Sequence, residues 1–179
     1  DLVRSRGLGD VYKRQVILII TGKMTWIPLY LVIAFFMIRK YSWKGIWLLI
    51  GVALVVTAAD QSSVQLFKNI FQRLRPCHNP DLTGMVHIVN DRCGGLYGFV
   101  SSHAANTFAV AAYLINIFKS KPFQIFIMVW AAIVSYSRIY LGVHYPADII
   151  GGAMLGLCCG YAVWWGIALA NKYYGILKQ

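Results

Sequence analysis

Five apolar stretches follow one another along this chain with almost no polar face between them, and this succession constrains the fold more than any other feature. The first runs from about Trp26 to Ile38 and lengthens backwards through Val16–Thr21. The second runs from Trp47 to Ala59 and continues as a more polar helix to Ile70. The third covers Ala104–Phe118, the fourth Phe123–Leu141 and the fifth Ile149–Ala170. Each approaches the ~20 residues, at ~1.5 Å rise per residue, that a bilayer core requires. One such stretch fits inside a soluble domain; five in series without a solvated face do not. The expected fold is therefore an all-α, polytopic transmembrane helical bundle of about five visible spans. Only 13% of the residues are charged and the mean hydropathy is +0.60, against roughly a quarter charged in soluble domains. With 179 residues in all, a second domain has no room.

Residues 1–15 do not match the rest. They hold Arg4, Arg6, Lys13 and Arg14 without an apolar period and show no signal-peptide pattern. They read as a foreign or disordered segment, leaving 16–179 as one membrane domain. The formal charge of +11 could point to nucleic acid, but the cations form no stripe beside exposed aromatics. They sit between the apolar runs, as membrane flanks do. Arg39, Lys40 and Lys44, then Lys119 and Lys121, then Lys172 and Lys178 alternate onto one side, which the positive-inside rule makes cytoplasmic. The long connection from Phe71 to Val100 and the turn at Gly142–Tyr145 then face the exterior.

Three clusters of reactive side chains fall on that outer side. Lys68 and Arg75 close the second stretch, two helical turns apart, ahead of Pro76. Ser101, Ser102 and His103 open the third, where free backbone N–H groups form an anion site and a serine can cap the helix. Arg138, His144 and Asp148 surround the turn before the fifth, with Asp148 placed to hold the His144 imidazole or to complement the helix dipole. Ionisable groups at membrane depth are expensive, so three in one turn point to function rather than packing. Together they offer cations, two histidines, a carboxylate and a helix N-terminus. That set suits a phosphoryl group, with one histidine attacking phosphorus and the other protonating the leaving oxygen. No Cys/His/carboxylate set has metal spacing, so neither metal nor cofactor is expected.

These residues resemble the type-2 phosphatidic acid phosphatase superfamily, whose motifs are Lys, six residues, Arg-Pro; Pro-Ser-Gly-His; and Ser-Arg, five residues, His, three residues, Asp. Here they read Lys68…Arg75-Pro76, Val100-Ser101-Ser102-His103 and Ser137-Arg138…His144…Asp148. The first and third match at every defining position. The second departs at Val100 and Ser102. The resemblance implies that His144 is a nucleophile forming a phosphohistidine, that Asp148 holds it and that His103 is the general acid. It also implies that Lys68, Arg75, Arg138 and the amides near Ser101–Ser102 cradle the phosphate, without a metal. Members often carry six spanning helices where five are visible here; a missing N-terminal helix would fit residues 1–15, though shorter members exist. The implied substrate is an amphiphilic phosphate in the bilayer, polyprenyl diphosphate first, then phosphatidylglycerol phosphate, phosphatidate or a lipid A phosphate. A soluble phosphoester such as a sugar phosphate, or a degenerate membrane binding or transport protein, are the rival readings. The expected setting is a bacterial inner membrane with the site facing the periplasm or exterior.

Cys77 and Cys93 share the outer loop, an oxidising place, and form a disulfide candidate worth about 3 kcal/mol in the loop-entropy account. Cys158 and Cys159 read as small buried residues, and His78 and His87 as loop surface. Trp26, Trp43, Trp47, Trp164 and Trp165 read as interfacial belts. The run Asp60, Gln61, Ser62, Ser63 and Gln65 reads as interhelical hydrogen bonding, ahead of a wet cleft. Gly151, Gly152, Gly156 and Gly160 favour close helix packing.

Overall fold

The computed structural model describes residues 8–22, 24–86 and 93–174. Arg4, Arg6, His87, Asp91 and Lys178 lie outside them. The long helices are α1 (Leu8–Thr21), α2 (Ile27–Tyr41), α3 (Gly45–Ser62), α5 (Ser102–Ile117), α6 (Lys121–Tyr140) and α7 (Pro146–Tyr174), with a single turn, α4 (Asn69–Phe71), between α3 and α5. The five apolar stretches correspond to α2, α3, α5, α6 and α7. Helix α1 is separate and takes in part of the opening stretch. The break falls at Gly22, where the carbonyls of Ile19 and Ile20 accept from Thr25 Oγ1 and Trp26 Nε1 at 2.6 and 2.8 Å.

This is a transmembrane bundle. Among the described residues, three helical stretches are long and apolar enough to cross a bilayer: Met24–Phe71, Lys121–Tyr140 and Pro146–Tyr173. The first holds both α2 and α3, which fold back on each other where Ser42 takes a positive φ of 54°. Gly45 allows the tight turn, since a Cβ there would meet the Met37 carbonyl at 2.7 Å. Helix α5 is shorter and forms the axis, with Ala104, Ala105, Ala109, Ala111 and Ala112 wholly buried. Leu31 and Phe35 on α2, Ile125 and Phe126 on α6, and Met154 and Trp165 on α7 instead point outward. A water-facing protein would not expose so continuous an apolar surface, but lipid tails solvate it.

The axis is held chiefly by α7. A Cβ on Gly152, Gly156 or Gly160 would strike the carbonyl of Ser101, Ala105 or Ala109. Glycines every four residues thus lie against carbonyls every four residues, and the two backbones meet. Two tryptophans assigned to the belts face inward instead: Trp26 packs edge-on against Trp130, and Trp164 against Tyr113. A tryptophan at a helix end looks the same in sequence whether it meets headgroups or a neighbouring helix. At the end away from the reactive clusters, Lys40 Nζ and Tyr41 Oη both donate to the Ile117 carbonyl, at 3.4 and 3.3 Å, and close the C-terminus of α5.

Candidate active site

Helix α3 widens before it ends. Ser63–Lys68 forms a π-helix, a rare turn that occurs mostly at functional sites. The wide turn presses Ser63 and Lys68 onto the start of α5. Ser63 Oγ lies 2.6 Å from Ser102 Oγ, and Lys68 Nζ donates to the same hydroxyl at 2.6 Å. Ser102, one of the two departures from the family motif, is therefore the hinge between the first and second clusters.

Gln72 then turns left-handed at φ 47° and stops the helix. Arg75 is extended, φ −68° and ψ 157°, as a residue before proline tends to be. The two-turn helical spacing read from Lys68 to Arg75 therefore does not hold; Arg75 arrives on a loop. Its side chain is buried, with Nε donating to the Tyr97 carbonyl at 3.3 Å and Nη1 to the Cys93 carbonyl at 3.1 Å. Gly94, at φ 85°, lets the loop pass over the guanidinium. Burial lowers the Arg75 pKa from its ordinary value, against the pull of Asp148; a guanidinium remains cationic regardless.

Asp148 lies wholly buried in the first turn of α7. Its Oδ2 sits 3.2 Å from His144 Nδ1 and accepts from the Tyr145 amide at 2.9 Å, while Oδ1 pairs with Arg73 Nη2. With Nδ1 donating to the carboxylate, the imidazole lone pair is left on Nε2. Burial pulls the His144 pKa below its ordinary value; the Asp148 hydrogen bond raises it, and Arg75 and Arg138 lower it further. The ring is therefore neutral near pH 7. The second and third clusters meet through backbone, since the Ser101 amide donates to the Asp148 carbonyl at 3.0 Å. Ser101 stands at the N-cap of α5 but its side chain makes no cap bond, and its Oγ is buried without a partner among the described residues.

Arg73 is the residue that motif reading missed. Its guanidinium is sandwiched between the rings of Phe99 and Tyr145, 4.9 and 5.0 Å from their centroids, while it holds Asp148. A signal was present: proline at 76 implies an extended approach, and in an extended segment residues 73 and 75 share a face.

His103 follows Ser102 in the first turn of α5. It lines a cavity of about 320 Å³ with Asp60, Asn106 and Trp130, and Thr21 closes one wall. Arg138 reaches that wall too, with Nη1 donating to Thr21 Oγ1 at 2.7 Å. Asp60 accepts from Asn106 Nδ2 at 3.2 Å, so the polar run on α3 both bridges helices and lines the cavity. Cys77 and Cys93 are joined in a disulfide, Cα atoms 6.0 Å apart. Their sulfurs and a His78 ring nitrogen lie within 4.8 Å of one another, but sulfurs bonded to each other offer no thiolate to a metal.

Comparison with known proteins places this geometry in context. Residues 44–172 match the PAP2 superfamily. A lipid A 4'-phosphatase of Bacteroides thetaiotaomicron is 40% identical over 162 residues, spanning 89% of this chain and 70% of that one. A lipid A 4'-phosphatase of Porphyromonas gingivalis is 38% identical over 147 residues, 82% of this chain and 62% of the relative. The crystal structure of a transmembrane PAP2-type phosphatidylglycerolphosphate phosphatase from Bacillus subtilis superposes with a TM-score of 0.65 at 26% identity, covering 97% of this chain and 82% of that one.

Proposed function

The chain belongs to the PAP2 superfamily, and on that premise we propose that it hydrolyses a lipid phosphate through a phosphohistidine formed on His144. The observation that carries this is the buried His144–Asp148 pair, in which the carboxylate takes Nδ1 and leaves the lone pair on Nε2. Nε2 attacks phosphorus, the bond from phosphorus to the leaving oxygen breaks, and His103 gives that oxygen its proton. Water, deprotonated by the same His103, then attacks the phosphohistidine; phosphate leaves and Nε2 regains its lone pair. Lys68, Arg75 and Arg138, with the amides at the start of α5, meet the charge that spreads over the phosphoryl oxygens. Ser101 Oγ, buried and unpaired, adds a donor.

The similarity to two lipid A 4'-phosphatases supports a sugar-borne phosphate on a lipid as the favoured substrate. A polyprenyl diphosphate, first on sequence grounds, is the second reading, supported by the cations Lys68, Arg75 and Arg138. The site lies opposite the Lys40 end, which supports an outward-facing, periplasmic orientation. The test is phosphate release by detergent-solubilised protein from a lipid A bisphosphate, a polyprenyl diphosphate and a phosphatidylglycerol phosphate. Release from the first at the highest kcat/KM is expected. Release from none, by protein shown to be folded, would overturn the reading.

A further inference from the structure

Asp60 is the single carboxylate among the described residues that line the His103 cavity. Two contacts between α3 and the start of α5 fix its place. One turn further along α3, Ser63 Oγ meets Ser102 Oγ at 2.6 Å, and Asp60 Oδ1 itself accepts from Asn106 Nδ2 at 3.2 Å. Ser102 and Asn106 lie one turn apart on the same face of α5 with His103 between them, so the carboxylate stands at the height of that imidazole. A carboxylate at membrane depth is costly and points to function by default. The other charges around His103 are cations. Lys68 bonds Ser102 beside it, Arg138 reaches Thr21 on the cavity wall, and Arg75 is within electrostatic reach of both. Helix α2 brings the phenol of Tyr30 to the cavity, and Asp148 on α7 is bonded to His144 and Arg73. Neighbouring cations disfavour a protonated imidazole, and protonated is what an acid has to be.

We propose that Asp60 supplies the counter-charge that keeps His103 protonated, and that the same charge turns away anionic leaving groups, so that the site prefers phosphate monoesters to diphosphates. The proposal rests on the phosphatase reading above and adds to it a positioning residue for the His103 proton. When the phosphorus–oxygen bond of a monoester breaks, the electron pair leaves on an alkoxide, a strong base that takes the His103 proton. A diphosphate breaks at its anhydride oxygen instead. The electron pair then leaves on a phosphate, a weak base that needs no proton and carries its own negative charge to the wall where Asp60 stands. Like charges brought together at a binding site suppress the wrong partner. One carboxylate thus favours the first reaction and hinders the second.

The experiment follows kcat/KM against pH, from initial phosphate release, for a phosphatidate and for the diacylglycerol diphosphate with the same chains in the same micelles. Asp60→Asn keeps an oxygen for Asn106 Nδ2 and removes the charge; Asp60→Glu keeps the charge. Wild type is expected to favour phosphatidate roughly tenfold. Asp60→Asn should move the alkaline limb of the phosphatidate profile down by about one pH unit, about a tenfold loss above the limb, and leave the diphosphate value unchanged or raised. Asp60→Glu should restore the limb. A limb unmoved in folded Asp60→Asn, a limb moved equally in Asp60→Glu, or equal losses on both substrates would overturn the proposal. Equal losses would mark the carboxylate as structural. A wild type that turns over the diphosphate as well as phosphatidate, or better, overturns the proposal whether or not the variants fold. Phosphate release from neither substrate by folded wild type would overturn the phosphatase reading and this one with it.

Discussion

His144 and His103 stand at the same end of the bundle in opposite kinds of surroundings. Around His144 the groups that orient it are bonded: Asp148 holds the ring, Arg73 and the Tyr145 amide hold Asp148, and two aromatic rings clamp Arg73. His103 is partly exposed and lines a cavity bounded by Asp60, Asn106 and Trp130. The difference follows from the chemistry proposed for each. A nucleophile must present one nitrogen in one direction whatever the substrate, so its surroundings are closed and fixed. An acid that serves the leaving group must face whatever the substrate brings, so its side stays open.

That contrast can be broken at either end. His144→Ala should remove hydrolysis altogether in a protein that still folds, as judged by gel filtration and helical circular dichroism; normal turnover would end the assignment. Asp148→Asn should cost about a thousand- to ten-thousand-fold in kcat, since the wrong tautomer points its lone pair at the amide. A small loss would make the carboxylate a dipole partner only. His103→Gln should cost on the order of a hundredfold in kcat/KM, which reports the first step alone, on an alkyl phosphate, and far less on an aryl phosphate whose leaving group needs no proton. Equal losses on the two would move His103 out of the acid role.

Smaller effects sharpen the closed side. Arg73→Gln should lower kcat roughly tenfold through loss of the charge-assisted bond that orients Asp148, and Arg73→Lys should not restore it, because an ammonium does not stack between two rings. The His144 imidazole, followed by nuclear magnetic resonance, should titrate below pH 6.5, because burial outweighs the pull of Asp148. A folded-state pKa below the unfolded one means that this group stabilises the fold above about pH 6.5 and that the contribution fades as pH falls through the folded value. A midpoint above 6.5 would show the carboxylate winning.

The sequence disclosed the bundle because unbroken apolar runs have few alternatives in a chain this poor in charge. Lys68 beside Ser102, and His144 beside Asp148, follow from spacings near helix ends, which leave residues little freedom. What it hid depends on partners distant along the chain. Nothing in Ser63–Lys68 marks a π-turn, which forms where Ser63 and Lys68 meet Ser102. Arg73 was legible only after Pro76 had been used to end the helix.

The seam between α5 and α7 reaches further than packing. Three notches on one rod rest against three teeth on the other, and the uppermost tooth, the Ser101 carbonyl, belongs to the segment that ends in His103, while the notched rod begins two residues beyond His144. The relative height of the two imidazoles is thus a mechanical setting fixed along the shaft. A side chain forced into the lowest notch, well below any reacting atom, would lift one rod against the other and put the chemistry out of alignment.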